Sequence, residues 1–142
     1  MEWLVDAIKR ARHSTIKRVK DLTDEHLDLH SADKVSIRDI DWNIAQCDNA
    51  VLKPFMSEIE FDDRIYPGLA SGKSKEEVIN FLAEQLKMKC KILSMNLSRL
   101  GDKTTHISYG EITIGEIVIC AGIDHEAHHR GQIALIRKDN NI

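Results

Sequence analysis

Little in this chain interrupts a helix. Its 142 residues include only two prolines and seven glycines, so long stretches carry no breaker and long helices are permitted. Cysteine is scarce: Cys47, Cys90 and Cys120 are an odd number without paired spacing. That argues against a disulfide scaffold and for reduced thiols serving as small core side chains in a cytoplasmic protein. No apolar run approaches the roughly 18 residues of a membrane span, so no membrane partner is expected. The first residues mix acidic and apolar side chains, unlike a signal peptide. A net charge of -3 lacks the basic excess of a nucleic-acid binder. The length fits one domain, residues 1–142, with an ordinary globular composition.

What remains is amphipathic periodicity, in four segments. From about Glu2 to Leu22, apolar or small residues recur at steps of three and four: Leu4, Ile8, Ala11, Thr15, Val19 and Leu22. They line one helix face. Arg10, Arg12, Lys17, Arg18 and Lys20 read as a solvated basic face. The second segment runs from about Ile37 to Phe55, capped by Ser36, with Ile37, Ile40, Ile44, Cys47 and Val51 inward. Asp39 favours the positive end of its dipole, and Pro54 kinks or closes its end. A long polar connection follows, with a turn at Pro67-Gly68 and an acidic Phe61-Asp62-Asp63 stretch read as solvated loop. The third helix begins after Ser74, which forms a capping box with Glu77, and is expected to stop at Gly101. Its apolar face is Val78, Phe81, Leu82, Leu86, Leu93, Leu97 and Leu100. The fourth begins after Thr113, boxed with Glu116, and reaches about Lys138. Ile112-Thr113-Ile114 also reads as a short strand, but no partner strand is evident, so helix is preferred. The fold class that follows is all-α, a single four-helix bundle with its longest connection between helices 2 and 3.

The chemistry concentrates in His125-Glu126-Ala127-His128-His129-Arg130-Gly131-Gln132. His125 and His129 are four apart and so project one turn apart from one helix face. Two neutral imidazoles so placed suit a transition metal such as zinc or nickel, although such a pair is equally often solvated or hydrogen-bonded. His128 is rotated aside, toward solvent or a partner that supports the site. The same letters spell H-E-x-x-H, with Glu126 as a would-be general base. A zincin reading needs a third ligand, usually beyond this helix, and residues 130–142 contain no His or Glu. It also needs a strand edge to hold a peptide, and no sheet is expected. Gly131 suggests close helix packing, Gln132 a group that orients a ligand, and Trp42 a packing residue.

His125 to Ile133 resembles the H-x-x-x-H-R-G-Q-I signature of the DinB-like (damage-inducible) four-helix bundle superfamily. Thr113-Ile114-Gly115-Glu116-Ile117, Leu22-Thr23-Asp24-Glu25-His26-Leu27 and Val35-Ser36-Ile37-Arg38-Asp39-Ile40 are similar to other stretches of that family. Asp41-Trp42-Asn43-Ile44-Ala45 resembles its W-H-I-A segment. The resemblance implies a metal held by three histidines, two from the last helix and one from the second. His125 and His129 match; Asn43 stands where the third histidine is expected. Three outcomes stay open: Asn43 or a water completes a weaker site, Cys47 substitutes as a thiolate, or the site is metal-free with Asn43 bonded to a histidine.

By the same resemblance, the expected function is a metal-dependent thiol S-transferase or hydrolase acting on a small electrophile. It would have zinc or nickel as cofactor, a low-molecular-weight thiol as possible partner, and a homodimeric state. The alternative is a metal-free bundle that serves as a small-molecule binding or interaction module.

Overall fold

The computed structural model describes residues 2–32, 34–56, 70–106 and 108–142. The Pro67-Gly68 turn and the Phe61-Asp62-Asp63 stretch lie outside them. The described chain is mostly helical: α1 (Glu2–Lys20), α2 (Ile37–Leu52), α3 (Lys75–Met95), α4 (Ile114–Ile119) and α5 (His125–Asp139). A π-helical stretch, Cys120–Asp124, joins α4 to α5, so these form one continuous fourth helix. Among the described residues no helix is long and apolar enough to cross a membrane.

Local chemistry sets the starts. Ser36 with Asp39, Ser74 with Glu77 and Thr113 with Glu116 all form reciprocal capping boxes. Each satisfies two backbone N–H groups that the first turn leaves without helical partners. The ends differ from expectation. α3 stops at Met95, and a short 3-10 turn (Leu97–Arg99) intervenes before Gly101. The partner missing for Ile112-Thr113 exists: Lys103–His106 (β1) pairs antiparallel with Gly110–Thr113 (β2), Lys103 opposite Thr113. Gly110 supplies the left-handed backbone (φ 71°) at the strand's start. A Cβ on Gly115 would lie 3.1 Å from the Leu100 carbonyl, which explains the glycine where helix and hairpin meet.

α1 packs on α3, α3 on α2, α2 on the fourth helix, and the fourth helix back on α1. That closed circuit is the bundle. Its apolar interior is divided. One cluster holds Val19, Ile37, Ile40, Ile44, Val78, Leu82, Ile133 and Ile136; the other holds Leu4, Val5, Ile8, Val51, Leu86, Leu93, Ile114 and Val118. At or near the change from one cluster to the other, on every helix, stand buried polar residues: Arg12 and Thr15, Asp41 and Asp48, Gln85 and Lys89, and Glu126.

This polar layer corrects the expectation that Arg12 belongs to a solvated face. Arg12 is fully buried. Its Nε donates to Glu126 Oε1 (2.9 Å), its Nη1 to the Leu82 carbonyl (2.9 Å), and its Nη2 to both Asp48 oxygens (3.1 and 2.9 Å). Lys89 Nζ also donates to Asp48, and Thr15 Oγ1 donates to Glu126 at 2.7 Å. Two cations thus face two carboxylates. One guanidinium touches the three other helices of the bundle, which the planar fork of Arg permits and a lysine would not. Truncating one member leaves uncompensated charge in a dry interior. Arg12→Met is therefore expected to cost about 3–5 kcal/mol in urea unfolding; a loss below about 1 kcal/mol would mean that the layer is wetter and weaker than described.

Candidate functional site

The residues singled out from the sequence meet in the cleft between α2 and the fourth helix. Asn43 and Cys47, one turn apart, face it from α2; His125 and His129, one turn apart, face it from α5. His125 Nε2 is the hub, 2.9 Å from His129 Nε2, 3.2 Å from Cys47 Sγ and 3.3 Å from Asn43 Oδ1. Cys47 Sγ lies 3.6 Å from Asn43 Oδ1. Asn43 is exposed while Cys47, His125 and His129 are half-buried, so the cluster opens to solvent on one side.

Two features aim the histidines. The backbone N–H of His125 bonds to the Cys120 carbonyl, five residues back, as the last bond of the π turn. That extra residue rotates everything after it relative to α4, so Ala121 and His125 are not stacked as a uniform α-helix would have them. Gln132 Oε1 lies 2.6 Å from His129 Nδ1. With the amide oxygen accepting, the imidazole proton sits on Nδ1 and the Nε2 lone pair faces the cluster.

Burial lowers the pKa of His125, helped by the nearby His129 and His128, and burial likewise lowers that of His129 against the Gln132 bond. Both imidazoles are thereby held neutral near pH 7. Burial, aided by Asp48, pushes the Cys47 thiol up to about 11. In the metal-free protein Cys47 is a thiol and not a nucleophilic thiolate.

The remaining expectations sort clearly. His128 is exposed beside His129, 5.5 Å between ring centroids. Glu126 points inward, where its Oε1 accepts from Arg12 and Thr15. Gly131 is exposed, and a Cβ added to it would meet nothing within 4 Å, so it does not serve close helix packing. Trp42 is buried against Phe81, centroids 4.2 Å apart. All three cysteines are free and half-buried. Arg130 was passed over in the sequence: its Nη1 donates to the Ala11 carbonyl at 3.2 Å, and Arg18 returns a bond to the Arg130 carbonyl at 3.1 Å. These bonds clamp α5 to α1 beside the histidines.

Among the described residues, no three His, Cys, Asp or Glu side chains stand arranged as a ready-made metal site. The contacts run in a line from Cys47 through His125 to His129. The donor set itself, two imidazole nitrogens, a sulfur and an amide oxygen, fits a borderline metal. Zinc bond lengths of about 2.0–2.3 Å set neighbouring ligand atoms roughly 3.3–3.6 Å apart in a tetrahedron. The observed 2.9 and 3.2 Å from His125 to His129 and Cys47 are a few tenths of an ångström shorter than that. Neither a scan against protein-family models nor a search of curated proteins finds a match for the chain.

Asp41, behind the cleft on α2, is fully buried, and neither carboxyl oxygen has a hydrogen-bond partner among the described residues. Burial raises its pKa well above the usual carboxyl value, with Arg12 opposing and Glu126 adding. Above about pH 4 an unfolded Asp ionises while folded Asp41 keeps its proton. Folding then takes up a proton, and stability falls as pH rises. The histidines act with opposite sign and are common to both proteins in a comparison with Asp41→Asn. In metal-free protein, native stability should fall relative to Asp41→Asn as pH rises above about 4 in urea unfolding; parallel profiles would show an ionised, solvated Asp41.

Proposed function

We propose that this protein is a metal-dependent enzyme of the DinB-like bundle type in which His125, His129 and Cys47 hold a divalent transition metal, zinc or nickel. The observation that carries this reading is the convergence of His129 Nε2, Cys47 Sγ and Asn43 Oδ1 on His125 Nε2 within 3.3 Å. Cys47 supplies the third ligand that Asn43 is too weak to provide. Asn43, exposed at the mouth of the cluster, faces the remaining position and offers its amide to whatever binds there.

Three protein ligands and one open position are the pattern of a catalytic rather than a structural zinc site. A metal in such a site supplies Lewis acidity and a deprotonated water or thiolate near neutral pH. The chain's own groups do the rest. His125 and His129, neutral through burial, present lone pairs. Gln132 holds the Nδ1 proton of His129 and fixes its ring. Glu126, spent on Arg12, is not the base of a peptidase. The reaction class is hydrolysis of, or thiol transfer to, a small electrophile. The low-molecular-weight thiol and the homodimer belong to the same proposal.

A second reading has its own support. Without a metal the groups satisfy one another: His129 Nδ1–H to Gln132, His125 Nε2–H to His129 Nε2, and the Cys47 thiol to Asn43 Oδ1. Such a site would serve a binding or interaction module.

Elemental mass spectrometry on protein purified without a histidine tag separates the two. About one zinc or nickel per chain is expected, absent from His125→Ala and bound at least ~10-fold more weakly by Cys47→Ser. No metal in the native protein, with binding gained in Asn43→His, would instead establish the metal-free module.

A further inference from the structure

A second feature shares a wall with the histidine cluster. Ser31, Val35, Ile40, Gln132 and Leu135 line a hollow of about 180 Å³ between the chain preceding α2 and the middle of α5. Gln132 is the common wall, since its Oε1 is the atom bonded to His129 Nδ1. The hollow therefore begins where the cluster ends.

Three of the five lining residues among those described are large and apolar. Ile40 is buried on the floor, whereas Val35 and Leu135 at the rim are 44% and 54% exposed. A single exposed aliphatic residue needs no explanation. Two that border one concavity beside a cluster of polar donors fit the usual make-up of a ligand pocket, apolar walls with a few oriented polar groups. An engineered apolar cavity of about 150 Å³ holds a benzene molecule, so this space matches one ring or a short branched alkyl group.

The wall that carries Ser31 and Val35 is also held in place. His30 and Ser36 pair as an isolated antiparallel bridge, and Ile37 N–H bonds to the Leu29 carbonyl at 3.0 Å. Within that closure Lys34 adopts a left-handed backbone (φ 61°) and donates to the Ser31 carbonyl at 2.9 Å. A lysine keeps that conformation only where its surroundings fix it. The larger groove between α1 and α3, lined by Lys9, Ile16, Leu86 and Cys90 among others, has no residue in common with the cluster.

We propose that the substrate of this site carries a small apolar group, the size of a phenyl ring, which occupies the hollow while its reacting atom lies at His125 and His129. The part about the reacting atom rests on the metal-site reading; the part about the hollow does not. Gln132 is then a positioning residue for both: one end orients His129, and the side of its chain borders the apolar group.

The test is a methyl-detected NMR titration of native, metal-free protein with benzyl alcohol, with metal content measured on the same preparation before chelation. Saturable shifts are expected at the methyls of Val35, Ile40 and Leu135. Leu135→Trp, which fills the hollow from an exposed position, and Val35→Asp, which puts a charge on its rim, should each weaken binding at least tenfold. Ala134→Trp, an exposed neighbour outside the hollow, should leave it unchanged. Absence of saturable shifts, or shifts indifferent to both rim variants, would overturn the inference even if metal is bound. Shifts that obey the variants in a protein that never carries metal would support the hollow and overturn the metal reading instead.

Discussion

The buried Arg12 guanidinium is the contact on which the rest of the bundle depends. It reaches Asp48 on α2, the Leu82 carbonyl on α3 and Glu126 on α5 from its own position on α1. Each acidic partner is the immediate neighbour of a residue in the cleft: Asp48 follows Cys47, and Glu126 follows His125. Adjacent helical residues point about 100° apart. With Asp48 and Glu126 drawn inward to one cation, Cys47 and His125 are turned to the boundary between α2 and the fourth helix, and there they meet. The charge layer is thus also the device that fixes the rotation of two helices about their axes.

That coupling has a thermodynamic side. A fully apolar layer of the same volume would often be as stable or more so. What the ion layer adds is a penalty on any helix rotation that separates its partners, because each would leave a charge unpaired in the interior. We regard register as its role here, and the π turn before His125 as its complement. The layer fixes where Glu126 points, and the extra residue of the π turn lets Ile114 and Val118 pack their own face of the core without dragging the histidines out of the cleft.

Much of this was legible in the amino-acid order. The capping boxes at Ser74 and Thr113 mark helix starts because they are local, three-residue chemistry. The four-residue spacing of His125 and His129 places them on one face for the same reason. The polar layer also left a trace. Arg12 falls four after Ile8 and three before Thr15, Asp48 four after Ile44 and three before Val51, and Lys89 three after Leu86 and four before Leu93. Each charge sits on an otherwise apolar stripe. Read one helix at a time they look like edge residues; only together, and with Glu126, do they balance. The hairpin was hidden because β1, Lys103-Thr104-Thr105-His106, lies at the surface and shows no apolar alternation. The π turn has no specific sequence mark: Gly122 weakens an α-helix there but does not prescribe the extra residue. Gly131 invited a packing explanation that the open space around it removes.

The claim that most needs testing is that Cys47 joins the two histidines at one ion. X-ray absorption at the zinc edge on native protein loaded with one equivalent of zinc tests it directly. The account predicts one sulfur scatterer at about 2.3 Å together with nitrogen or oxygen at about 2.0–2.1 Å. A first coordination sphere of nitrogen and oxygen alone would contradict it and return Cys47 to the role of a small, half-buried packing residue.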